Sequence, residues 1–187
     1  MSSAGRSLER FSVLMSVYIG DECDCLETAM QSLYHQTVKP AEVVLVIDGP
    51  VPEETESVVE KWGTSCSGVL RVVKLPSNVG LGKALQIGIQ ACSNDLVARM
   101  DADDICLFNR FEMQLQFLRD HPEIALVNAW MAVFHEDPEQ TLYIRRVPVA
   151  HADITKLAKV RSPVNHPTVM YRRSAVLAAG NYPDRRK

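Results

Sequence analysis

Residues 97–114 read VARMDADDICLFNRFEMQ. Three carboxylates, Asp101, Asp103 and Asp104, crowd into four positions between an apolar run and an apolar helical pattern. Clustered acids repel one another and lose hydration if buried, so they persist where water or a cation neutralises them. Magnesium and manganese take oxygen ligands, keep several waters, and are often held by one or two carboxylates together with a substrate's phosphates. A D-x-D spacing on a turn suits that chemistry, because side chains at i and i+2 can point into one cleft. The plainer alternative makes Asp104 a cap for the following helix and leaves the other two solvated. Another carboxylate, Asp48, closes a second apolar run, AEVVLVIDG at 41–49.

The elements that must position these acids follow from periodicity. FSVLMSVY (11–18), AEVVLVIDG (41–49), VLRVVKL (69–75) and DLVARMD (95–101) read as short, nearly continuous apolar strands. Helical patterns separate them, at about 22–35, 53–62, within 77–92, and 108–119. Pro52, Glu53 and Glu54 open the second of these, where acids suit the positive end of a helix. Strict alternation of strand and helix predicts an α/β domain whose parallel sheet is covered on both faces. In such sheets ligands bind beyond the carboxyl ends of the strands, which is where Asp48 and the three acids stand. The last third is mixed. IALVNAWMAVF (124–134) and TLYIRRVPV (141–149) read as strands, ADITKLAKV (152–160) as a short helix, and HPTVMYRRSAVLAAGNY (166–182) as a strand then a helix.

Several function classes fall away. Gly80-Leu81-Gly82-Lys83 lacks the earlier glycine and the Ser or Thr of a phosphate-binding P-loop, since Ala84 follows Lys83. Leu85 takes the place of the third glycine in a dinucleotide fingerprint. Lys83 remains a candidate to meet a diphosphate near a helix N-terminus, or an exposed helix lysine. The 187 residues suit one domain, 47% hydrophobic and 23% charged, with net charge -3, which argues against nucleic acid as a partner. Five cysteines, three of them inside predicted elements, point to a reducing compartment. The N-terminus lacks a signal-peptide core, and the longest apolar run is too short to span a bilayer. Peripheral contact with a membrane is compatible with the sequence.

The ordered set of segments resembles the GT-A fold, family 2 nucleotide-sugar glycosyltransferases, especially bacterial enzymes of O-antigen, capsule and exopolysaccharide synthesis. FSVLMSVYIGDECDCLETAMQSLYHQT, EVVLVIDGP, LPSNVGLGKALQIGI and ARMDADDICLFNRFEMQLQFL carry the match, and SPVNHPTVMYRRSAVLAAGNY resembles the family's acceptor-side segment. The resemblance implies one domain over residues 1–187, with a mostly parallel Rossmann-like sheet. It implies that Ser16 and Tyr18 line the nucleotide base and that Asp48 hydrogen-bonds the base edge. Lys83 would fall in the nucleotide region, and Asp101 at the ribose or metal. Asp103 would be the principal ligand of Mn²⁺ or Mg²⁺, and Asn165 and His166 would sit near the acceptor or diphosphate. A loop-building role for His166 is the structural alternative.

Implied partners are a UDP- or GDP-sugar donor and a saccharide or lipid-linked acceptor. The implied location is the cytoplasm, including the inner face of the membrane. Ser16, Ile19, Gln86 and Phe108 depart from the family pattern, whereas Arg110 keeps it. The family's catalytic base lies in an acidic segment beyond a G-G-Y-like element, here Gly180-Asn181-Tyr182. Only Asp184 follows, a poor candidate, so the chain is expected to lack that base segment. Two rivals remain: a nucleotide-sugar binding module without transfer, and a nucleotidyltransferase. The latter would show a Gly-rich loop after the first strand, and SVYIGDE is not one.

Overall fold

A computed structural model describes residues 9–183. The chain runs β1 (Phe11–Val17), α1 (Cys23–Tyr34), β2 (Glu42–Ile47), α2 (Glu53–Ser65), β3 (Leu70–Lys74), α3 (Leu81–Ala91), β4 (Leu96–Arg99) and α4 (Arg110–Asp120). Then come β5 (Leu126–Val127), β6 (Met131–Val133), β7 (Tyr143–Arg145), α5 (His151–Ala158), β8 (Met170–Arg172) and α6 (Arg173–Ala178). Six strands form one sheet in the order β3-β2-β1-β4-β8-β5. β3, β2, β1 and β4 are mutually parallel, and β8 returns antiparallel to both β4 and β5.

The period of two along β1 explains the two-sided core. Phe11, Val13, Met15 and Val17 face one way, onto Leu26, Ala29, Met30 and Leu33 of α1, Val59 and Trp62 of α2, and Phe111, Leu115 and Leu118 of α4. Leu14 faces the other way with Val44, Val46 and Val97, under Ala84, Leu85 and Ile89 of α3. Each such buried aliphatic or aromatic side chain contributes about 1.5–3 kcal/mol. Phe11 and Phe111 meet edge to face, with ring centroids 4.9 Å apart. Gly88 lets α3 approach the sheet, because a Cβ there would lie 2.5 Å from Leu14 Cδ1 and 2.7 Å from Val46 Cγ2.

β2 and β3 extend the sheet to one side of β1, and α3 then carries the chain back to β4 on the other side. The strand order therefore reverses between β1 and β4. The crevice at their carboxyl ends is the topological switch point at which α/β sheets hold ligands.

The last third departs from the sequence expectation. The strand predicted over 124–134 is two short strands interrupted at Asn128, Ala129 and Trp130. Side chains from 165–168 take the backbone bonds a ladder would have used. Ala129 N–H donates to Thr168 Oγ1 (2.9 Å), while Ala129 O accepts from Asn165 Nδ2 (2.9 Å) and Thr168 Oγ1 (3.0 Å). The strand predicted over 141–149 shrinks to β7, which pairs only with β6 in a two-stranded ribbon. Residues 166–168 form a single 3-10 turn rather than the start of a strand. All five cysteines are unpaired, and among the described residues no helix is long and apolar enough to cross a membrane.

Candidate active site

The turn after β4 carries the acids. Carboxylate oxygens of Asp101, Asp103 and Asp104 all lie within 4.8 Å of one another. α4 begins six residues after Asp104, with Asn109 at its cap position, so Asp104 does not cap that helix. Burial pushes the Asp104 carboxyl up to about 6, with the charges of Asp101 and Asp103 adding to the shift. Asp103 is exposed. Asp101 is held from below by the guanidinium of Arg99, the last residue of β4, whose side chain is 1% exposed.

A fourth carboxylate joins them from the loop after β1. Asp21 accepts the Tyr18 N–H through Oδ2 at 3.0 Å. Burial raises its pKa, partly offset by that bond, and the charges of Asp103 and Asp101 raise it further. Sequence reasoning passed over Asp21. The signal was there: it too is a carboxylate just beyond the carboxyl end of an apolar strand. Of these four acids only Asp101 has an ion-pair partner among the described residues, Arg99, and the donor set is entirely oxygen. That surplus of charge on hard ligands fits Mg²⁺ or Mn²⁺.

Asp48 lies at the end of β2, on the same rim, with β1 between it and β4. Neighbouring strands stand about 4.8 Å apart, so the two acidic ends are separated by roughly 10 Å of sheet. The Asp48 side chain is almost wholly enclosed, the residue being 3% exposed. Oδ1 accepts the Val79 N–H at 2.7 Å and Oδ2 accepts the Gly80 N–H at 2.9 Å. These bonds fasten the loop before α3 across the strand end and set the position of that helix N-terminus. Gly49 makes the approach feasible: its φ is +87°, and a Cβ would lie 2.5 Å from Asn78 N.

The remaining predicted residues divide. Ser16 sits near the end of β1, and Tyr18 follows it in the loop, 45% exposed. Lys83, in the first turn of α3, reaches Gln86 Oε1 at 2.5 Å. Asn165, expected near the acceptor or diphosphate, is 1% exposed and its Nδ2 donates to Ala129 O and Arg145 O (2.9 and 3.1 Å). Here it ties three backbone segments together. His166 is half-buried, with Nε2 3.3 Å from Tyr182 Oη. Burial pulls its pKa down to about 4, and the Arg99 charge pulls the same way. Tyr182 belongs to a turn clamped on α3, where Gln86 Nε2 donates to Tyr182 O (3.2 Å) and Asn181 Nδ2 to Gln86 O (3.4 Å). Asp184 lies outside the described residues.

Comparison with known proteins follows the same lines. The mannosyltransferase PcManGT from Pyrobaculum calidifontis, solved with GDP-Man and Mn²⁺, superposes with a TM-score of 0.67 at 19% identity. The match covers 94% of this chain and 48% of that one. The fold is the GT-A arrangement. The family model for Glycosyl transferase family 2 matches residues 12–179, and the chain belongs to that family. The amylovoran biosynthesis glycosyltransferase AmsE of Erwinia amylovora is 41% identical over 172 residues, 92% of this chain and 63% of AmsE. An Escherichia coli UDP-Gal:alpha-D-GlcNAc-diphosphoundecaprenol beta-1,3-galactosyltransferase is 38% identical over 173 residues, 92% of this chain and 62% of that enzyme. The chain therefore spans a little under two thirds of the length of the curated relatives it matches.

Proposed function

We propose that residues 1–187 act as one glycosyltransferase domain that binds a nucleoside-diphosphate sugar and moves the sugar, with inversion, to a saccharide or lipid-linked acceptor. The setting is cell-surface polysaccharide assembly on the cytoplasmic side of a membrane. The observation that carries this reading is the acid cluster at the switch point, beside a loop that Asp48 locks against the sheet. The named roles of the relatives, a galactosyltransferase and an amylovoran enzyme, support the direction.

The residues at the rim divide the work in this reading. Asp103, exposed and with no ion-pair partner among the described residues, is the principal metal ligand. Asp101, oriented by Arg99, is the second. A bound Mn²⁺ or Mg²⁺ supplies electrostatic relief for the charge that grows on the departing diphosphate. Ser16 and Tyr18 line the base, Asp48, enclosed and bonded to two backbone N–H groups, fixes the loop beside it rather than meeting the base edge, and the start of α3 with Lys83 faces the diphosphate, where a helix N-terminus favours anions. His166 and its partner Tyr182 border the acceptor side. A base must take the acceptor's proton for in-line attack on the anomeric carbon. His166 does not serve, since a group held near 4 is a weak base at neutral pH. No described residue is assigned that task.

Calorimetric titration of UDP- and GDP-sugars tests the reading, with Mn²⁺, with chelator, and with Asp103→Ala. Affinity should fall at least tenfold on chelation and by a similar factor in the variant. Equal affinity in all three defeats the metal assignment.

A further inference from the structure

Two guanidiniums are buried under the acid rim, and they differ in how they are satisfied. Arg110 lines a mainly apolar cavity of about 440 Å³ together with Asp104. Each of its nitrogens has a partner. Nε donates to Gln114 Oε1 (3.1 Å), Nη1 to Cys106 Sγ (3.8 Å), and Nη2 to Arg99 O (2.8 Å) and Val169 O (3.3 Å). Arg99 is 1% exposed, and its Nε and Nη1 have no hydrogen-bond partner. Its Nη2 donates to Asp101 Oδ1. Among the described residues, that oxygen is the one acceptor available to a fully enclosed cation.

The guanidinium has nowhere else to turn. Arg99 closes β4, and its backbone is fastened on both sides: the N–H donates to Val169 O (2.8 Å), and the carbonyl accepts from Arg110 Nη2. By the alternation of the strand its side chain shares a face with Val97, beside Tyr171 of β8. If Asp101 gave up Oδ1, a buried charge would be left with no acceptor and no water, an outcome that folded proteins avoid. Oδ1 is therefore taken by Arg99, and Asp101 has Oδ2 left to offer. Asp21 is limited in the same way, since its Oδ2 holds the Tyr18 N–H (3.0 Å).

Divalent cations differ in what they ask of a carboxylate. Ca²⁺ takes roughly six to eight oxygens and often binds a carboxylate through both of its oxygens. The smaller Mg²⁺ keeps several waters and is held by one or two carboxylates together with phosphates. A carboxylate confined to one oxygen meets the second demand and fails the first. We infer that Arg99 is a positioning residue that confines Asp101 to one oxygen toward the metal, so that the acid cluster selects Mn²⁺ or Mg²⁺ over Ca²⁺. The inference rests on the metal assignment made above. The charge of Arg99 weakens every divalent cation alike, so its particular effect lies in the ratio of two affinities rather than in either one.

Mn²⁺ binding is read by electron paramagnetic resonance of the free ion, and Ca²⁺ binding by displacement of bound Mn²⁺, in nucleotide-free buffer. Wild type should hold Mn²⁺ at least tenfold tighter than Ca²⁺. Arg99→Met frees Oδ1 and should narrow that ratio at least fivefold. Arg99→Lys returns a cation to the oxygen and should bring the ratio back to within twofold of wild type. Equal affinities in wild type overturn the inference, as does an unchanged ratio in Arg99→Met or a lysine variant that behaves like the methionine one. A measurement on wild type alone applies even where Arg99→Met does not fold. The Arg99 guanidinium protons in ¹⁵N-resolved NMR should remain slow to exchange when Mg²⁺ saturates the site, and loss of that protection also overturns the inference. If Asp103→Ala loses Mn²⁺ while the ratio ignores Arg99, the metal assignment stands and the role of Arg99 falls. If wild type and Asp103→Ala bind Mn²⁺ equally, the metal assignment falls and takes this role with it.

Discussion

Replacing Asp48 by Asn tests how the donor side of the crevice is built. The carboxylate accepts two backbone N–H groups, Val79 at 2.7 Å and Gly80 at 2.9 Å, in a nearly closed environment. Asn keeps one acceptor oxygen and turns an NH₂ donor toward the other N–H. One charge-assisted bond becomes a neutral one, a loss of about 1 kcal/mol, and one buried N–H is left without a partner, a further 1–3 kcal/mol or so. The sum is about 2–4 kcal/mol, or a melting temperature lower by roughly 5–15 °C in a domain of this size. Urea denaturation should show the midpoint falling at constant slope. Hydrogen exchange without nucleotide should show faster exchange at the Val79 and Gly80 amides, with β1 and β4 unchanged relative to the global loss. A variant within 0.5 kcal/mol of wild type, with those two amides still protected, would refute the claim that Asp48 anchors the loop.

The acids after β4 should separate by burial. Asp101→Ala strands the Arg99 guanidinium and should cost about 2–3 kcal/mol, somewhat below the 3–5 kcal/mol typical of a broken buried pair because Asp101 is partly exposed. Asp103→Ala should change stability by less than about 0.5 kcal/mol, so equal losses in the two variants would contradict the assignment. Gly88→Ala gains helix propensity but drives a Cβ into Leu14 and Val46, and a net loss of about 1–2 kcal/mol by urea denaturation is expected. His166 contributes acid sensitivity. Its folded pKa of about 4 lies below the unfolded 6.5, so the unfolded chain binds the extra proton between those values. Stability from this group is complete above pH 6.5 and falls as pH drops toward 4, by up to about 3 kcal/mol. His166→Gln should flatten that part of the wild-type profile, and parallel profiles would rule the mechanism out.

The parallel half of the sheet was legible because β1, β2 and β4 are buried on both faces and show nearly continuous apolar runs. The helices between them carry their own periodicity, and the acids at the strand ends announced themselves by type and position. Residues after Lys74 in the α3 loop were harder to read. Nothing local says that Val79 and Gly80 are the partners of a carboxylate some thirty positions earlier, and Asp48 alone could equally have been solvated. The last third misled for the same reason. IALVNAWMAVF has the composition of one strand, yet Asn165 and Thr168 capture the Ala129 backbone and break it in two.

What the sequence determined by itself was the alternation of elements, the α/β class and the acidic rim, since each depends on short-range pattern and on the solvation of single residue types. Only the tertiary structure decided which acids share one crevice, that Arg99 is buried beneath Asp101, that Asn165 serves the backbone, and that Asp104 and Arg110 border a common cavity. Those facts depend on strand order and on contacts between distant segments. Side-chain burial and hydrogen-bond partners arise from chain crossings that local spacing does not encode.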